Sequence, residues 1–220
     1  MKRILDISRP VRAGIPVWPG DTPYAYQRTW KLGGGCPVNV GQVTMSLHTG
    51  AHTDAPYHFD DAGAPIADVD LSKYLGPCVV VHARPTGGGL VPSDLPPDVA
   101  PRLRHAPRLL VRMYEARPTA FDEHLPHLTP EMADWLAGRG VVLVGVDSDS
   151  MDAFDSKELA AHHRLARHGI AILEGIDLSG VAPGVYDLVA LPLKLVGADA
   201  SPVRAVLVTR GDEGDVEETV

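Results

Sequence analysis

The chain has 220 residues, of which 45% are hydrophobic, so it can bury a sizeable core without disulfides. Its formal net charge of −8, with no cluster of basic residues, argues against nucleic acid or an anionic membrane as a partner. Cys36 and Cys78 form no C-x-x-C pair, Lys2-Arg3 leads into no apolar export segment, and no apolar run reaches membrane-spanning length. We therefore expect a cytoplasmic protein.

The first forty-seven residues predict short strands and turns. Leu5 and Ile7 favour a first strand, and residues 17–21 (Val-Trp-Pro-Gly-Asp) favour a turn. The glycine-rich segment 31–39 is predicted to be a loop, and it is no phosphate cradle because no helix with a Lys-Ser/Thr start follows. Residues 42–47 alternate apolar and polar side chains, which predicts a half-buried strand with the next residue on its polar face.

Three histidines and a carboxylate follow within eleven residues: His48, His52, Asp54 and His58. Imidazole and carboxylate ligands hold zinc at about 2.0–2.2 Å, and a catalytic site takes three of them and leaves a position for water. His52 and Asp54 are two residues apart, so an extended backbone projects both to one side. Gly50 permits the turn that would bring His48 alongside. An exposed loop with histidines grouped by chance is the alternative, but four potential ligands after a strand favour a metal site.

The middle of the chain predicts strands that alternate with a helix, which implies an α/β arrangement. The predicted segments are a buried strand at 77–81, a proline-rich surface excursion at 84–107, a strand from 109, a helix that begins at Thr129-Pro130, and a buried strand at 141–146. Asp147, Asp149 and Asp152 follow the last of these strands. Because acidic loops after strands are common, we interpret these three as having no fixed geometry rather than as a carboxylate site.

A second histidine pair and a lone glutamate are candidates for a site in the last third of the chain. A capping-box pattern at 155–158 predicts a helix that runs to about His168. His162 and His163 point about 100° apart on this helix, so only one can face a metal, and the spacing does not choose between them. Glu174 shares a strand face with two isoleucines, where a carboxylate is costly unless it is paired or metal-bound. A strand-end glutamate that reaches solvent is the alternative.

Two further strands are predicted at 187–195 and 203–208, and the acidic, unpatterned residues 211–220 are expected to be a mobile tail.

The segment His48-Thr-Gly-Ala-His52-Thr-Asp54-Ala-Pro-Tyr-His58 resembles the signature of the metal-dependent cyclase-like hydrolases. The bacterial kynurenine formamidases (arylformamidases) belong to this family, with isatin hydrolases as relatives. Segments 16–23, 36–41, 191–195 (Leu-Pro-Leu-Lys-Leu) and 199–206 resemble the formamidase branch specifically. The chain departs from the family pattern at Asp149, where relatives usually carry proline, and at 153–154, which puts the shape of this loop in doubt.

The resemblance implies a single α/β domain over residues 1–210, with a mixed, barrel-like β-sheet core and surrounding helices (a swivelling β/β/α, cyclase-like fold). It also implies a homodimer in which segments of one chain complete the pocket of the other. Five metal ligands are carried over by position: His48, His52, Asp54, His162 and Glu174. Two zinc ions per chain are implied, with Asp54 and Glu174 reaching both, and imidazole and carboxylate ligands also suit manganese.

The implied reaction is hydrolysis of N-formyl-L-kynurenine to L-kynurenine and formate. Trp18 would stack on the aniline ring of the substrate. From the sequence alone, without the resemblance, Trp18 would be interpreted as an aromatic residue of the core or of its rim. His58 would accept a proton and return it to the leaving nitrogen, and its alternative role is that of a further metal ligand. Two alternative functions remain. The chain could be a hydrolase of a cyclic amide such as isatin, or a metal-binding relative without catalytic activity.

Overall fold

The structure is a computed structural model that describes residues 2–210. Its three α-helices are α1 (Val99–Leu103), α2 (Pro130–Ala137) and α3 (Ala160–Arg167). Its strands are β1 (Ile4–Asp6), β2 (Ala25–Trp30), β3 (Val40–Thr44), β4 (His52–Asp54), β5 (Leu75–His82), β6 (Arg108–Arg112), β7 (Leu143–Val146), β8 (Ala171–Glu174), β9 (Gly184–Val189), β10 (Ala200–Pro202) and β11 (Val206–Thr209). No helix among these is long and apolar enough to cross a membrane.

Nine strands form one mixed sheet in the order β1-β11-β9-β5-β6-β7-β8-β4-β10. The central strands β5 to β8 run parallel, and the chain passes through α1, α2 and α3 between successive members of this group. Antiparallel strands extend the sheet on both sides, with β9, β11 and β1 beside β5 and with β4 and β10 beside β8. The curled mixed sheet with few helices confirms the expected α/β fold.

The parallel strands bury side chains on both faces of the sheet, as their continuous apolar runs predict. Because successive side chains of a strand point to opposite faces, Val79 joins the cluster that includes the helices, whereas Val80 joins the cluster on the other face. Leu109 and Leu110 divide in the same way. The two clusters therefore cover both faces of the sheet around its parallel strands, and β4 pairs with the last of these strands, β8.

The expected surface excursion at 84–107 is wrong in one respect, because this segment contributes to the core. Leu90, Val99 and Leu103 are fully buried in the cluster under the helices, and α1 lies within the segment. The prolines interrupt regular secondary structure, but burial of the apolar residues between them still stabilises the folded state. The segment is thus the crossover between β5 and β6.

The predicted half-buried strand at 42–47 is also wrong in its extent and its burial. β3 ends at Thr44, and it pairs only with β2 in a separate two-stranded hairpin around the predicted 31–39 loop. Both strands of the hairpin are exposed, including Tyr26, Trp30 and Val43. The alternation of apolar and polar residues correctly predicted an extended backbone. It carries no information on whether another element covers the apolar side of the strand, and in the structure that side is exposed.

Helix α2 begins as predicted, with the Thr129 hydroxyl accepting from the backbone N–H of Met132. The predicted capping box at 155–158 is wrong, since α3 begins at Ala160. The strand predicted at 187–195 is observed as β9 and ends at Val189, and β10 was not predicted. The tail expected at 211–220 lies outside the described residues.

Candidate metal centre

The register between β4 and β8 sets two of the predicted ligands side by side. His52 lies directly opposite Glu174, and residues opposite each other on adjacent strands point to the same face of the sheet. Asp54 is two residues further along β4 and therefore projects to that face as well, as predicted. All three side chains are buried, with exposures of 2–4%. The carboxylate of Glu174 thus faces the cluster and not solvent.

Two more of the predicted ligands reach this face from neighbouring segments. His48 lies in a turn that contains Gly50 at φ +70°, and its Nδ1 is 3.1 Å from Asp54 Oδ1. His162 enters from α3, with its Nε2 3.5 Å from Asp54 Oδ2 and 3.3 Å from Glu174 Oε1. His163 is exposed on the same helix, so the structure selects His162 from the pair.

The donor set fits a divalent cation of the transition series. His52, Asp54 and Glu174 each offer a ligand atom within 4.8 Å of the other two, and His48, Asp54 and His58 form a second group of this kind. Within these groups His52 Nε2 and both oxygens of Asp54 are buried without a hydrogen-bond partner. Buried polar atoms of this type are costly unless they are paired or bind a metal. The two groups share Asp54.

The electrostatics of the cluster depend on the balance between burial and close pairing. Burial alone would lower the pKa of His48, but the hydrogen bond to Asp199 and the adjacent carboxylate of Asp54 raise it to about 10. Burial alone would raise the pKa of Asp54, but the adjacent imidazoles of His162 and His48 hold it well below its usual range. Protons on the imidazoles therefore neutralise the carboxylates, and a metal must displace them because ligand histidines bind in the neutral form.

Asp199, which was not predicted as a site residue, connects two histidines of the cluster. Its Oδ2 lies 2.8 Å from His48 Nε2 and 3.3 Å from His58 Nδ1. It directly precedes β10, whose pairing with β4 brings Asp199 next to the metal-binding motif. The only sequence signal was its place at the start of the family-like segment 199–206, which does not reveal its contacts.

The acidic loop after β7 has a fixed geometry, contrary to our interpretation of the sequence. Asp147 accepts backbone hydrogen bonds from Met113 (2.8 Å) and Tyr114 (3.2 Å), and burial raises the pKa of its carboxyl to about 6. Asp149 pairs with Arg9 at 3.2 Å. Each carboxylate has partners from distant parts of the chain, and no local pattern predicts these.

Asp152 of this loop both caps α3 and orients a predicted ligand. Its carboxylate accepts the backbone N–H groups of Ala161 (2.9 Å) and His162 (3.0 Å), which takes the place of the predicted capping box. Its Oδ2 also lies 2.6 Å from His162 Nδ1. A carboxylate on one ring nitrogen fixes the tautomer and directs the other nitrogen, here Nε2, toward the metal position.

Asp152→Asn is expected to weaken metal binding by about 10–100-fold, the usual effect of losing an outer partner of a ligand histidine. The amide is neutral and leaves His162 less basic and less firmly oriented. Metal affinity is measured by competition with a chromogenic chelator. Asp155→Asn, at an exposed position in the same loop, is the control and should bind metal normally. Equal affinity in both variants would contradict this role of Asp152.

A cavity of about 340 Å³ opens directly onto the cluster. His48, His52, His58, His162 and Glu174 line one side, and Trp18 lines the wall. The structure therefore brings the predicted histidines, Glu174 and Trp18 to one cavity, with Asp54 behind them in contact with His48 and His162. A larger cavity of about 670 Å³ is lined in part by residues 153–155 of the acidic loop and contains none of the predicted metal ligands.

Comparison with known proteins gives a consistent result for the whole chain. The model of the Cyclase family, described as "Putative cyclase", matches residues 5–153. A solved "potential metal-dependent hydrolase with cyclase activity" is 27% identical, with a TM-score of 0.80 over 96% of this chain and 100% of the other. A "predicted metal-dependent hydrolase" from Bacillus stearothermophilus is 25% identical, with a TM-score of 0.76 and coverage of 96% and 100%.

The same fold occurs in isatin hydrolase A from Labrenzia aggregata. That structure is 21% identical to this chain, with a TM-score of 0.77 over 96% of this chain and 94% of the other. At this level of identity the likeness concerns the fold alone.

Proposed function

Because this chain belongs to the cyclase family, we propose that it is a metal-dependent amide hydrolase that converts N-formyl-L-kynurenine to L-kynurenine and formate. The observation that supports this most directly is the set of unpartnered buried atoms on His52 and Asp54 behind a cavity whose wall carries Trp18. Metal-dependent hydrolases of similar sequence and fold support the reaction class. The formylated substrate rests on the resemblance of the Trp18 segment and of 191–195 to the formamidases.

The metal is assigned to five side chains: His48, His52, Asp54, His162 and Glu174. When bound, it would lower the pKa of a water molecule toward neutrality and polarise the formyl oxygen. Asp54 belongs to both candidate ligand groups, which supports two ions that share its carboxylate. We propose zinc, and manganese is the alternative because it accepts the same ligands.

Trp18 is proposed to bind the aryl ring of the substrate. Its indole lines the cavity that contains the histidines, so a ring stacked on it would bring an attached formamide toward them. Such placement lowers the entropic cost of bringing the formyl carbon and the attacking water together.

His58 is proposed to move the proton. It lines the cavity, and burial lowers the pKa of its imidazole, so the ring is neutral at pH 7 and can act as a base. With Nδ1 directed at Asp199, His58 keeps Nε2 as the basic nitrogen. It would accept a proton from the attacking water and return it to the aniline nitrogen as the C–N bond breaks.

His58→Ala is expected to lower kcat by about 10²–10⁴-fold, the range for lost acid–base catalysis, while metal content stays unchanged. Steady-state kinetics and elemental analysis of the same preparation measure the two quantities. His124→Ala removes an exposed histidine as the control. Since His58 also belongs to a candidate ligand group, loss of metal together with activity would assign it as a ligand instead.

The test of the proposed function is release of formate and L-kynurenine from N-formyl-L-kynurenine, before and after treatment with a chelator. Activity should disappear with the metal and return when zinc is added. A folded, metal-loaded protein that leaves this substrate intact would refute the formamidase assignment.

Hydrolysis of a cyclic amide such as isatin is the second candidate, because isatin hydrolases share the fold with TM-scores of 0.75–0.77. Isatin opens to a single product and releases no formate, so the same assay separates the two candidates.

A homodimer is also proposed. The two-stranded hairpin, exposed on both faces with Tyr26, Trp30 and Val43, supports it because such apolar surface favours burial against a partner. Light scattering of the purified protein decides between one and two chains.

A further inference from the structure

Three aromatic rings form a cluster at the edge of the catalytic cavity. Trp18 contacts Phe121 in an edge-to-face arrangement and Phe154 in a tilted one, with 5.2 Å between ring centroids in both pairs. Phe121 and Phe154 also contact each other, at 5.5 Å and 61°. These separations are typical of favourable aromatic pairs. Each ring therefore restricts the other two.

The three rings come from separate connections of the fold. Trp18 belongs to the turn after β1, Phe121 to the connection between β6 and α2, and Phe154 to the acidic loop between β7 and α3. Two aromatic side chains from the other connections pack against the indole of Trp18. The position of the indole in the cavity thus depends on Phe121 and Phe154.

The cluster also contributes to the linings of two cavities. Trp18 lines the catalytic cavity of about 340 Å³, whereas Phe154 lines the neighbouring cavity of about 670 Å³. Because the two rings are in contact, the linings of the two cavities meet at this pair, which we call the aromatic partition. Removing the Phe154 ring would leave space into which the indole of Trp18 could move, away from the catalytic cavity.

We propose that Phe154, supported by Phe121, determines the size of the aryl group that the site accepts. The inference rests on the proposed hydrolysis of an aryl amide. The enzyme would then favour single-ring substrates and exclude fused or extended rings. Phe154 acts through Trp18 and touches no reacting atom, so its loss should change discrimination between substrates more than it changes the chemical step.

The experiment compares one small and one large probe of the same chemistry. Formanilide and N-(1-naphthyl)formamide are the substrates, and aniline and 1-aminonaphthalene are ligands for calorimetric titration, which needs no turnover. In Phe154→Ala the preference for the small probe should fall by about 10-fold or more, the scale on which an apolar pocket discriminates by size. Two ratios should show this change: the ratio of kcat/KM values for the two formamides and the ratio of Kd values for the two amines.

Two further variants separate this role from a loss of folding. Phe154→Leu keeps apolar bulk beside Trp18 and should preserve most of the preference. Leu71→Ala removes an exposed apolar side chain that lines neither cavity and should preserve all of the preference. Metal content and the unfolding temperature are measured for each variant, so that a disrupted site is recognised.

The outcomes distinguish the inference from the proposed function. A folded Phe154→Ala protein with an unchanged preference overturns the inference, as does a wild-type protein that binds both amines equally well. If the wild-type protein hydrolyses neither formamide and also leaves N-formyl-L-kynurenine intact, the formamidase assignment fails. In that case the ratio of the two dissociation constants in wild type and Phe154→Ala still decides whether the aromatic partition sets the size limit.

Discussion

Asp54→Asn is expected to lose bound metal and to lose turnover by on the order of 10³-fold or more, beyond the about 10–100-fold typical of outer partners. The Asp54 carboxylate lies 3.1 Å from His48, 3.5 Å from His52 and 3.5 Å from His162, and both of its oxygens are buried without a hydrogen bond. It is the one side chain common to both candidate ligand groups of the described residues. An amide keeps the shape but removes the negative charge.

Metal content by elemental analysis and kcat/KM on the same sample measure this effect. Asp61→Asn makes the same chemical change at an exposed position a few residues later and should behave like the wild type. The folded state should persist in Asp54→Asn, because the amide has nearly the same size as the carboxylate and the hydrophobic residues of the two core clusters are unchanged. An Asp54→Asn protein that keeps its metal and its activity would rule out the shared carboxylate.

Gly175→Ala is expected to lower the free energy of unfolding by about 3–5 kcal/mol through two additive costs. Gly175 has φ +66°, a conformation that costs a residue with a Cβ about 1–2 kcal/mol. A Cβ there would also overlap the carbonyl oxygen of Gly50 and lie 2.8 Å from its carbonyl carbon. These are backbone atoms, so the chain itself must shift to relieve the overlap.

The overlap would occur between two segments that carry proposed ligands, since Gly175 follows Glu174 and Gly50 lies between His48 and His52. Gly175→Ala should therefore weaken metal binding as well as stability. For a chain of this length, the loss corresponds to a fall in Tm of roughly 10 °C, followed by circular dichroism.

Gly140→Ala is the matched control for this prediction. Gly140 also has a positive φ, +70°, but a Cβ there meets nothing within 4 Å. It should lose only the conformational cost of about 1–2 kcal/mol and should keep its metal affinity. If both variants lose the same stability, the close approach between Gly175 and Gly50 contributes nothing.

The ligand types and the parallel strands could be predicted from the sequence because their signals are local. His52 and Asp54 are two residues apart, and this spacing alone places both on one side of an extended strand. The run at 141–146 is apolar throughout, and such runs become strands with two buried faces. Thr129-Pro130 likewise predicted where α2 begins, because a helix start depends on adjacent residues.

The roles of Asp152 and Asp199 could not be predicted in this way, since their partners come from other elements. Asp152 reaches the first turn of α3 across a loop, and the local capping-box pattern at 155–158 pointed to the wrong start. Asp199 reaches His48 and His58 only because β10 pairs with β4. Hydrogen bonds between distant residues leave no periodic trace in the sequence.

The sequence by itself therefore determined the α/β class, the candidate ligands and their resemblance to a metal-dependent hydrolase family. Only the tertiary structure decided that His162 and not His163 faces the cluster, that Glu174 lies opposite His52, and that Phe154 stands behind Trp18. The physical reason is that local sequence sets backbone conformation and the periodicity of side chains. Which faces meet is set by strand register and by the packing of distant segments around one core.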